Sequence, residues 1–136
     1  MEQLTVAIAD DNEKMLNMLD EIISLDKELS VVGKAKNGEE MCQIIKEKQP
    51  DVVLLDLIMP KMDGLTVMEH INHDKSMSKP PYFIVVTAVG QERITEDAFK
   101  KGASYYIMKP FNNEVVLNRI KHTNQVIRHE IRTQAP

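Results

Sequence analysis

Five short apolar runs alternate along the chain with segments in which apolar residues recur at helical spacing. The runs are residues 4–9 (LTVAIA), 29–35 (LSVVGKA), 51–56 (DVVLLD), 82–88 (YFIVVTA) and 104–109 (SYYIMK). Their aliphatic and β-branched content predicts strands. Between them, sets such as Met41, Ile44 and Ile45 fall on one face of a helix. The pattern predicts five consecutive strand–helix units.

Helical crossovers of this length make the predicted strands parallel, and a continuous apolar run such as VVLL is typical of a strand buried on both faces. The sequence therefore predicts an α/β fold, a doubly wound three-layer sandwich. If the first and third strands are neighbours and the fourth and fifth follow the third, right-handed crossovers give the strand order 2-1-3-4-5. Asn12 or Asp11, Asn37 and Asn112 are expected to cap the first, second and last helices.

Length and composition limit the functional classes. A chain of 136 residues with 43% hydrophobic content fits one domain and leaves no room for a second. A net charge of −4 argues against nucleic-acid binding by this segment. The start of the chain lacks the pattern of a signal peptide and no apolar run is long enough to span a membrane. The single cysteine, Cys42, has no internal disulfide partner, which fits a cytoplasmic protein.

Polar residues stand where the predicted strands end. Asp10 and Asp11 follow the first strand, Asp56 the third, Thr87 the fourth and Lys109 the fifth. Ligands of open α/β sheets bind just outside the carboxyl ends of the strands, where the winding reverses. We therefore expect these five residues to meet at one edge of the sheet.

Three carboxylates in one crevice repel each other, and a hard divalent cation relieves that repulsion. Mg²⁺ prefers oxygen ligands and keeps room for water and phosphate oxygens. An aspartate can act as the nucleophile of phosphoryl transfer, and Thr87 and Lys109 suit the phosphoryl oxygens. The alternative is that Asp10 and Asp11 only cap the following helix.

The segments ADDN, LLDLIMPKMDG, TA and KPF, spread over about residues 3 to 125, resemble the receiver domains of bacterial two-component response regulators. The resemblance implies a flavodoxin-like receiver fold with Asp56 as phosphoacceptor. It implies Mg²⁺, with Mn²⁺ or Ca²⁺ as substitutes, bound by Asp10, Asp11, Asp56 and the main-chain carbonyl of Ile58. Catalytic support would come from Thr87 and Lys109.

The same resemblance makes Thr87 and Tyr106 the switch residues, Tyr106 turning inward on activation. It implies a cis Lys109–Pro110 bond, and a turn conformation at Gly64 that residues with a side chain resist. Ile58 and Val89 stand at positions that influence the water attacking the acyl phosphate in related receivers. Both are apolar, which predicts slow self-dephosphorylation.

More narrowly, GASYYIMKPF, VTAVGQE and VGKAKNGEE resemble the receiver of the sporulation-initiation master regulator of endospore-forming Firmicutes. The expected protein is a signalling phosphoacceptor that assists its own phosphorylation and is not an enzyme. Its donor would be a histidine kinase or a phosphorelay phosphotransferase. The receiver is expected over residues 1–126, with residues 127–136 as a helix end and the start of a linker to a DNA-binding effector. A homodimer is a further expected partner, formed on phosphorylation.

A haloacid-dehalogenase-like phosphatase is the enzymatic alternative, since it also combines a nucleophilic Asp with Mg²⁺, a hydroxyl and a Lys. It normally carries a second Asp two residues after the nucleophile, where this chain has Ile58. A flavodoxin requires a phosphate-binding loop after the first strand, where DDNE would repel phosphate. His70 and His73, three apart on a predicted helix, are a weaker candidate metal site.

Overall fold

The computed structural model describes residues 3–77 and 79–134. Five strands alternate with five helices. The strands are β1 (Leu4–Ala9), β2 (Leu29–Ala35), β3 (Val52–Leu55), β4 (Tyr82–Thr87) and β5 (Ala103–Met108). The helices are α1 (Glu13–Ser24), α2 (Gly38–Lys48), α3 (Gly64–Asn72), α4 (Glu92–Lys100) and α5 (Asn113–Gln134). The predicted alternation and strand positions are confirmed within one or two residues.

All strand pairs are parallel, and the sheet has the order β2-β1-β3-β4-β5. The central strand β3 pairs with both β1 and β4, and its four residues are all buried. This confirms the predicted doubly wound order, in which β1 and β3 lie side by side at the reversal of the winding. The carboxyl ends of β1, β3, β4 and β5 therefore share one edge.

The sheet has a hydrophobic core on each face. Alternate residues of a strand belong to different cores, because successive side chains of a strand point to opposite faces. On one face Ala7, Val53 and Val85 pack with the buried side of α2 and α3. On the other face Ile8 and Leu54 pack with α1 and α5. The helices on both faces explain the continuous apolar runs of the inner strands.

Side-chain caps fix the starts of the three helices for which the sequence predicts a cap. The Asn12 side chain accepts a hydrogen bond from the Met15 amide at 3.0 Å, so Asn12 rather than Asp11 caps α1. Asn37 caps α2 by accepting from the Glu40 amide at 2.9 Å, and Asn112 accepts from the Glu114 amide at 2.8 Å where α5 begins. The Asp11 side chain is therefore not used to cap α1.

Helix α5 continues through the predicted domain boundary at residue 126. Ile127 is still buried against the core shared with α1, and the helix extends to Gln134. Ala135 and Pro136, part of the predicted linker, lie outside the described residues. Within the described part of the chain, no helix combines the length and apolarity that a membrane span requires.

Candidate phosphoacceptor site

The five polar residues predicted from the strand ends do meet at one edge of the sheet. Each follows or ends a strand, and three of them continue the backbone pairing beyond it: the Asp10 amide donates to Ala35 O at 3.0 Å and the Asp56 amide to Ala9 O at 3.0 Å. The Lys109 amide likewise donates to Thr87 O at 2.8 Å. The parallel ladder therefore fixes where these side chains start.

Lys109 joins two of the acids. Its ammonium donates to Asp10 Oδ2 at 2.5 Å and to Asp56 Oδ2 at 2.9 Å. The side chains are 16% exposed for Lys109, 2% for Asp10 and 9% for Asp56. Burial of an unpaired carboxylate is unfavourable. The ion pair with Lys109 therefore explains how Asp56 is tolerated at the buried end of β3.

The other oxygen of the Asp56 carboxylate is held by uncharged donors. The Thr87 hydroxyl, on a fully buried residue, donates to Asp56 Oδ1 at 2.7 Å. The Ile58 amide donates to the same oxygen at 3.2 Å. Both oxygens of Asp56 are therefore fixed in direction, as a nucleophilic carboxylate requires for an oriented attack.

Asp10, Asp11 and Asp56 form a possible metal site. Each offers one carboxylate oxygen, and the three oxygens lie within 4.8 Å of one another. Asp11 is exposed while the other two are buried, so the cluster opens to solvent on one side. An all-oxygen, partly hydrated donor set matches the preference of Mg²⁺. The residues present therefore fit the ion that the sequence predicts.

Burial and pairing act in opposite directions on the charged groups. Desolvation by burial raises the pKa of Asp10, and the hydrogen bonds from Lys109 and the Asn12 amide oppose the rise only in part. For Lys109, desolvation lowers the pKa, but hydrogen bonds to Asp10 and Asp56 outweigh it and leave the pKa raised. Lys109 therefore stays cationic at neutral pH.

Glycine is required at position 64 because a side chain has no room there, and not because of the backbone dihedral angles. Among the described residues Gly102 is the glycine with positive φ, and the left-handed residue in the loop after β3 is Lys61, with φ 67°. A Cβ at Gly64 would lie 2.4 Å from the main-chain oxygen of Asp56. The prediction of a turn conformation at Gly64 is wrong, because this glycine opens α3 and packs directly on the backbone that carries Asp56.

Tyr106 contacts the loop that follows β4. Its hydroxyl donates a short hydrogen bond to the main-chain oxygen of Val89, and the Val89 amide donates to Thr87 Oγ1 at 3.4 Å. Tyr106 also meets the ring of Phe99 on α4, with 6.3 Å between ring centroids. The acceptor at Val89 was missed from the sequence, since a main-chain oxygen carries no sequence signal. A two-residue loop segment thus connects Thr87 to Tyr106.

The Lys109–Pro110 peptide bond is cis, as predicted. In the weaker candidate site, His73 Nδ1 lies 2.7 Å from Glu69 O of its own helix. Among the described residues, the only group of three or more possible metal-ligating side chains is the aspartate cluster.

A comparison with protein-family models matches residues 6–121 to the response regulator receiver domain. The chain belongs to this family. Receiver domains are signalling domains that are phosphorylated on an aspartate and bind Mg²⁺ at an acidic pocket. Their partners are histidine kinases or phosphotransferases, and often effector domains.

Solved receiver structures share the fold over most of this chain. The response regulator domain of Thermotoga maritima CheB has 28% identity and a TM-score of 0.81, covering 90% of this chain and 96% of that chain. The signal receiver domain of Mycobacterium tuberculosis NarL has 29% identity and a TM-score of 0.79, covering 89% and 98%. CheY in a CheX-CheY-BeF3-Mg²⁺ complex from Borrelia burgdorferi has 31% identity and a TM-score of 0.78, covering 88% and 87%. The phosphatase alternative finds no support in these comparisons.

Proposed function

We propose that Asp56 is the phosphoacceptor of this receiver domain and that it takes its phosphoryl group from a phosphohistidine donor. The observation that carries the proposal is the Asp56 carboxylate itself, held by Thr87 on one oxygen and by Lys109 on the other within the aspartate cluster. In the transfer, a carboxylate oxygen of Asp56 forms the new P–O bond while the P–N bond of the donor breaks. The imidazole leaves with the electron pair of that bond and takes up a proton.

The roles of the remaining side chains follow from their positions. Mg²⁺ held by Asp10, Asp11, Asp56 and the main-chain oxygen of Ile58 would neutralise charge on the phosphoryl oxygens. Lys109 supplies a second positive charge that the two carboxylates keep in place. Thr87 offers a hydroxyl donor to a phosphoryl oxygen. Transfer between phosphohistidine and aspartate therefore depends on orientation and charge neutralisation.

Phosphorylation switches the surface formed by α4, β5 and α5. The phosphoryl group adds about 1.5 to 2 negative charges next to Thr87, and the Val89 segment passes a shift of Thr87 to Tyr106. Helix α4 is suited to respond, since Ala98 is its one buried residue and its N-cap residue Gln91 makes no capping side-chain hydrogen bond. A weakly anchored helix moves at lower cost than a well-packed one.

The wider part of the proposal concerns the phosphoryl donor, the effector domain and the cellular process. We place the domain in a cytoplasmic phosphorelay that initiates sporulation, where it controls a DNA-binding effector and pairs as a homodimer after phosphorylation. The sporulation assignment depends on the three sequence segments quoted above, because the comparisons support the family and not this narrower relationship. An effector that binds DNA is supported by the similarity, at 26% identity, to a LuxR-family DNA-binding response regulator from Staphylococcus aureus.

Intact-mass measurement tests the central claim. Wild type, Asp56→Asn and Asp97→Asn are incubated with a small phosphodonor and Mg²⁺, Asp97 being a carboxylate of α4 outside the site. We expect wild type and Asp97→Asn to gain the mass of one phosphoryl group and Asp56→Asn to gain none. Phosphorylation of Asp56→Asn to the same extent would remove Asp56 from its role. Steady release of phosphate from a phosphate ester would instead favour the phosphatase.

A further inference from the structure

The start of α2 touches the loop that joins β3 to α3. Gly38, the first residue of α2, is buried, and a Cβ built on it would lie 2.1 Å from the main-chain oxygen and 2.7 Å from the carbonyl carbon of Met62. Real Cβ atoms essentially never approach backbone atoms this closely. The backbone of Gly38 is not in the left-handed region. The glycine is therefore required by the contact between two backbones and not by its own conformation.

The first turn of α2 is held in place and cannot easily move away from Met62. Asn37, which is 8% exposed, caps the helix, and Glu40 bonds back to the Lys36 amide at 3.1 Å and to the Asn37 side chain at 3.0 Å. Met41 and Ile45 then fix the helix in the core. The two-way bonding between a cap and the third helical residue is a strong restraint on the first turn. An added methyl group at Gly38 must therefore displace the loop.

The loop is short and braced along its length. The Gly64 amide donates to Leu57 O at 2.9 Å and the Met62 amide to Pro60 O at 2.7 Å. Leu57 and Met59 are buried, while Lys61 has its unusual positive φ. These two hydrogen bonds connect Met62 and Gly64 to the segment that carries Asp56 and Ile58.

We propose that Gly38 is a positioning residue for the phosphoacceptor site, acting through Met62 to set the β3–α3 loop and, with it, the Ile58 backbone. The inference rests on the proposed function of Asp56 and of the Ile58 main-chain oxygen. It assigns a role at the site to a residue of α2 that touches neither the metal ligands nor the phosphoryl group.

The test measures Mg²⁺ dependence in Gly38→Ala against a matched glycine variant. Gly33→Ala is the control, since the three atoms nearest to a Cβ there all belong to the side chain of Ile44, at 2.6 Å and beyond, and none of the three belongs to the loop. The amide spectrum of each ¹⁵N-labelled protein is titrated with Mg²⁺, and the rate of phosphorylation by a small phosphodonor is measured across the same concentrations. Unfolding free energy without Mg²⁺ is measured in parallel.

We expect Gly38→Ala to raise the half-saturating Mg²⁺ concentration about 10-fold, the loss typical of a residue that supports metal ligands from outside. Gly33→Ala should leave it unchanged even if both variants lose stability. Equal Mg²⁺ dependence in the two variants overturns the inference. If Gly38→Ala does not fold, Asn37→Ala, which loosens the first turn of α2 without adding an atom, must raise the half-saturating concentration, and no rise overturns the inference.

The two proposals fail separately. If wild type takes no phosphoryl group on Asp56, the proposed function is wrong. If wild type is phosphorylated on Asp56 but Gly38→Ala binds Mg²⁺ as wild type does, only the role of Gly38 is wrong.

Discussion

Lys109→Met removes the charge that binds Asp10 and Asp56 together while keeping much of the side-chain bulk. The ammonium lies 2.5 Å from one carboxylate and 2.9 Å from the other. Its loss leaves two buried anions facing each other. We expect this single change to destabilise the folded protein strongly when no divalent ion is present.

The size of the effect follows from the distances. The carboxylate oxygens of Asp10 and Asp56 lie within 4.8 Å of each other, a repulsion of at least about 3 kcal/mol at an effective dielectric constant of about 20. Removing one partner of a buried ion pair costs about 3 to 5 kcal/mol in general. We therefore expect Lys109→Met to lower the free energy of unfolding by about 3 kcal/mol at pH 7.

The pH dependence has a definite sign. Burial already raises the pKa of Asp10 above its unfolded value, and loss of Lys109 raises it further. Between the unfolded and folded pKa the folded variant binds more protons than the unfolded chain, so its stability rises as the pH falls. The deficit relative to wild type should shrink from pH 7 towards pH 5. The Lys109 pKa is itself raised in the fold, so its stabilising contribution to wild type is complete across this range.

Chemical denaturation at pH 7 and pH 5, with and without Mg²⁺, measures these terms. Lys101→Met is the control, because Lys101 pairs with Asp97 at 2.8 Å on the surface, where ion pairs contribute little. Mg²⁺ should restore more stability to Lys109→Met than it adds to wild type, since it replaces the lost positive charge. A loss below about 1 kcal/mol at pH 7 would mean that solvent screens the acids and that Lys109 does not hold them.

Three smaller effects are expected. Tyr106→Phe should cost about 1 kcal/mol in denaturant unfolding through loss of the bond to Val89, and an equal cost in Tyr105→Phe would remove that explanation. Cys42 is buried and burial raises its pKa, so a disulfide reagent should react far more slowly with native than with unfolded protein; equal rates would place the thiol at the surface. Ile58 is 62% exposed and apolar, so it cannot orient an attacking water by a hydrogen bond. The phosphorylated protein should therefore lose phosphate more slowly than the Ile58→Asn, Val89→Glu variant when both are followed by intact mass, and equal rates of decay would contradict this.

Residue periodicity and spacing predicted the elements, their order and which polar residues meet at the edge of the sheet. Strand and helix periods are local properties, and they located β1 and β2 to the residue. Because parallel strands end at a shared edge, the positions of Asp10, Asp56, Thr87 and Lys109 after four strands were enough to predict that they meet.

The contacts among these residues depend on the three-dimensional fold. Lys109 reaches Asp10 across 99 positions of sequence and Asp56 across 53, and no local pattern encodes which oxygen it bonds. The packing of Gly38 on Met62, and of Gly64 on the backbone of Asp56, is likewise a contact that depends on how the backbone folds. A main-chain atom is chemically the same at every position, so the sequence carries no mark of such contacts. They appear only when the sheet and its helices have fixed the distances.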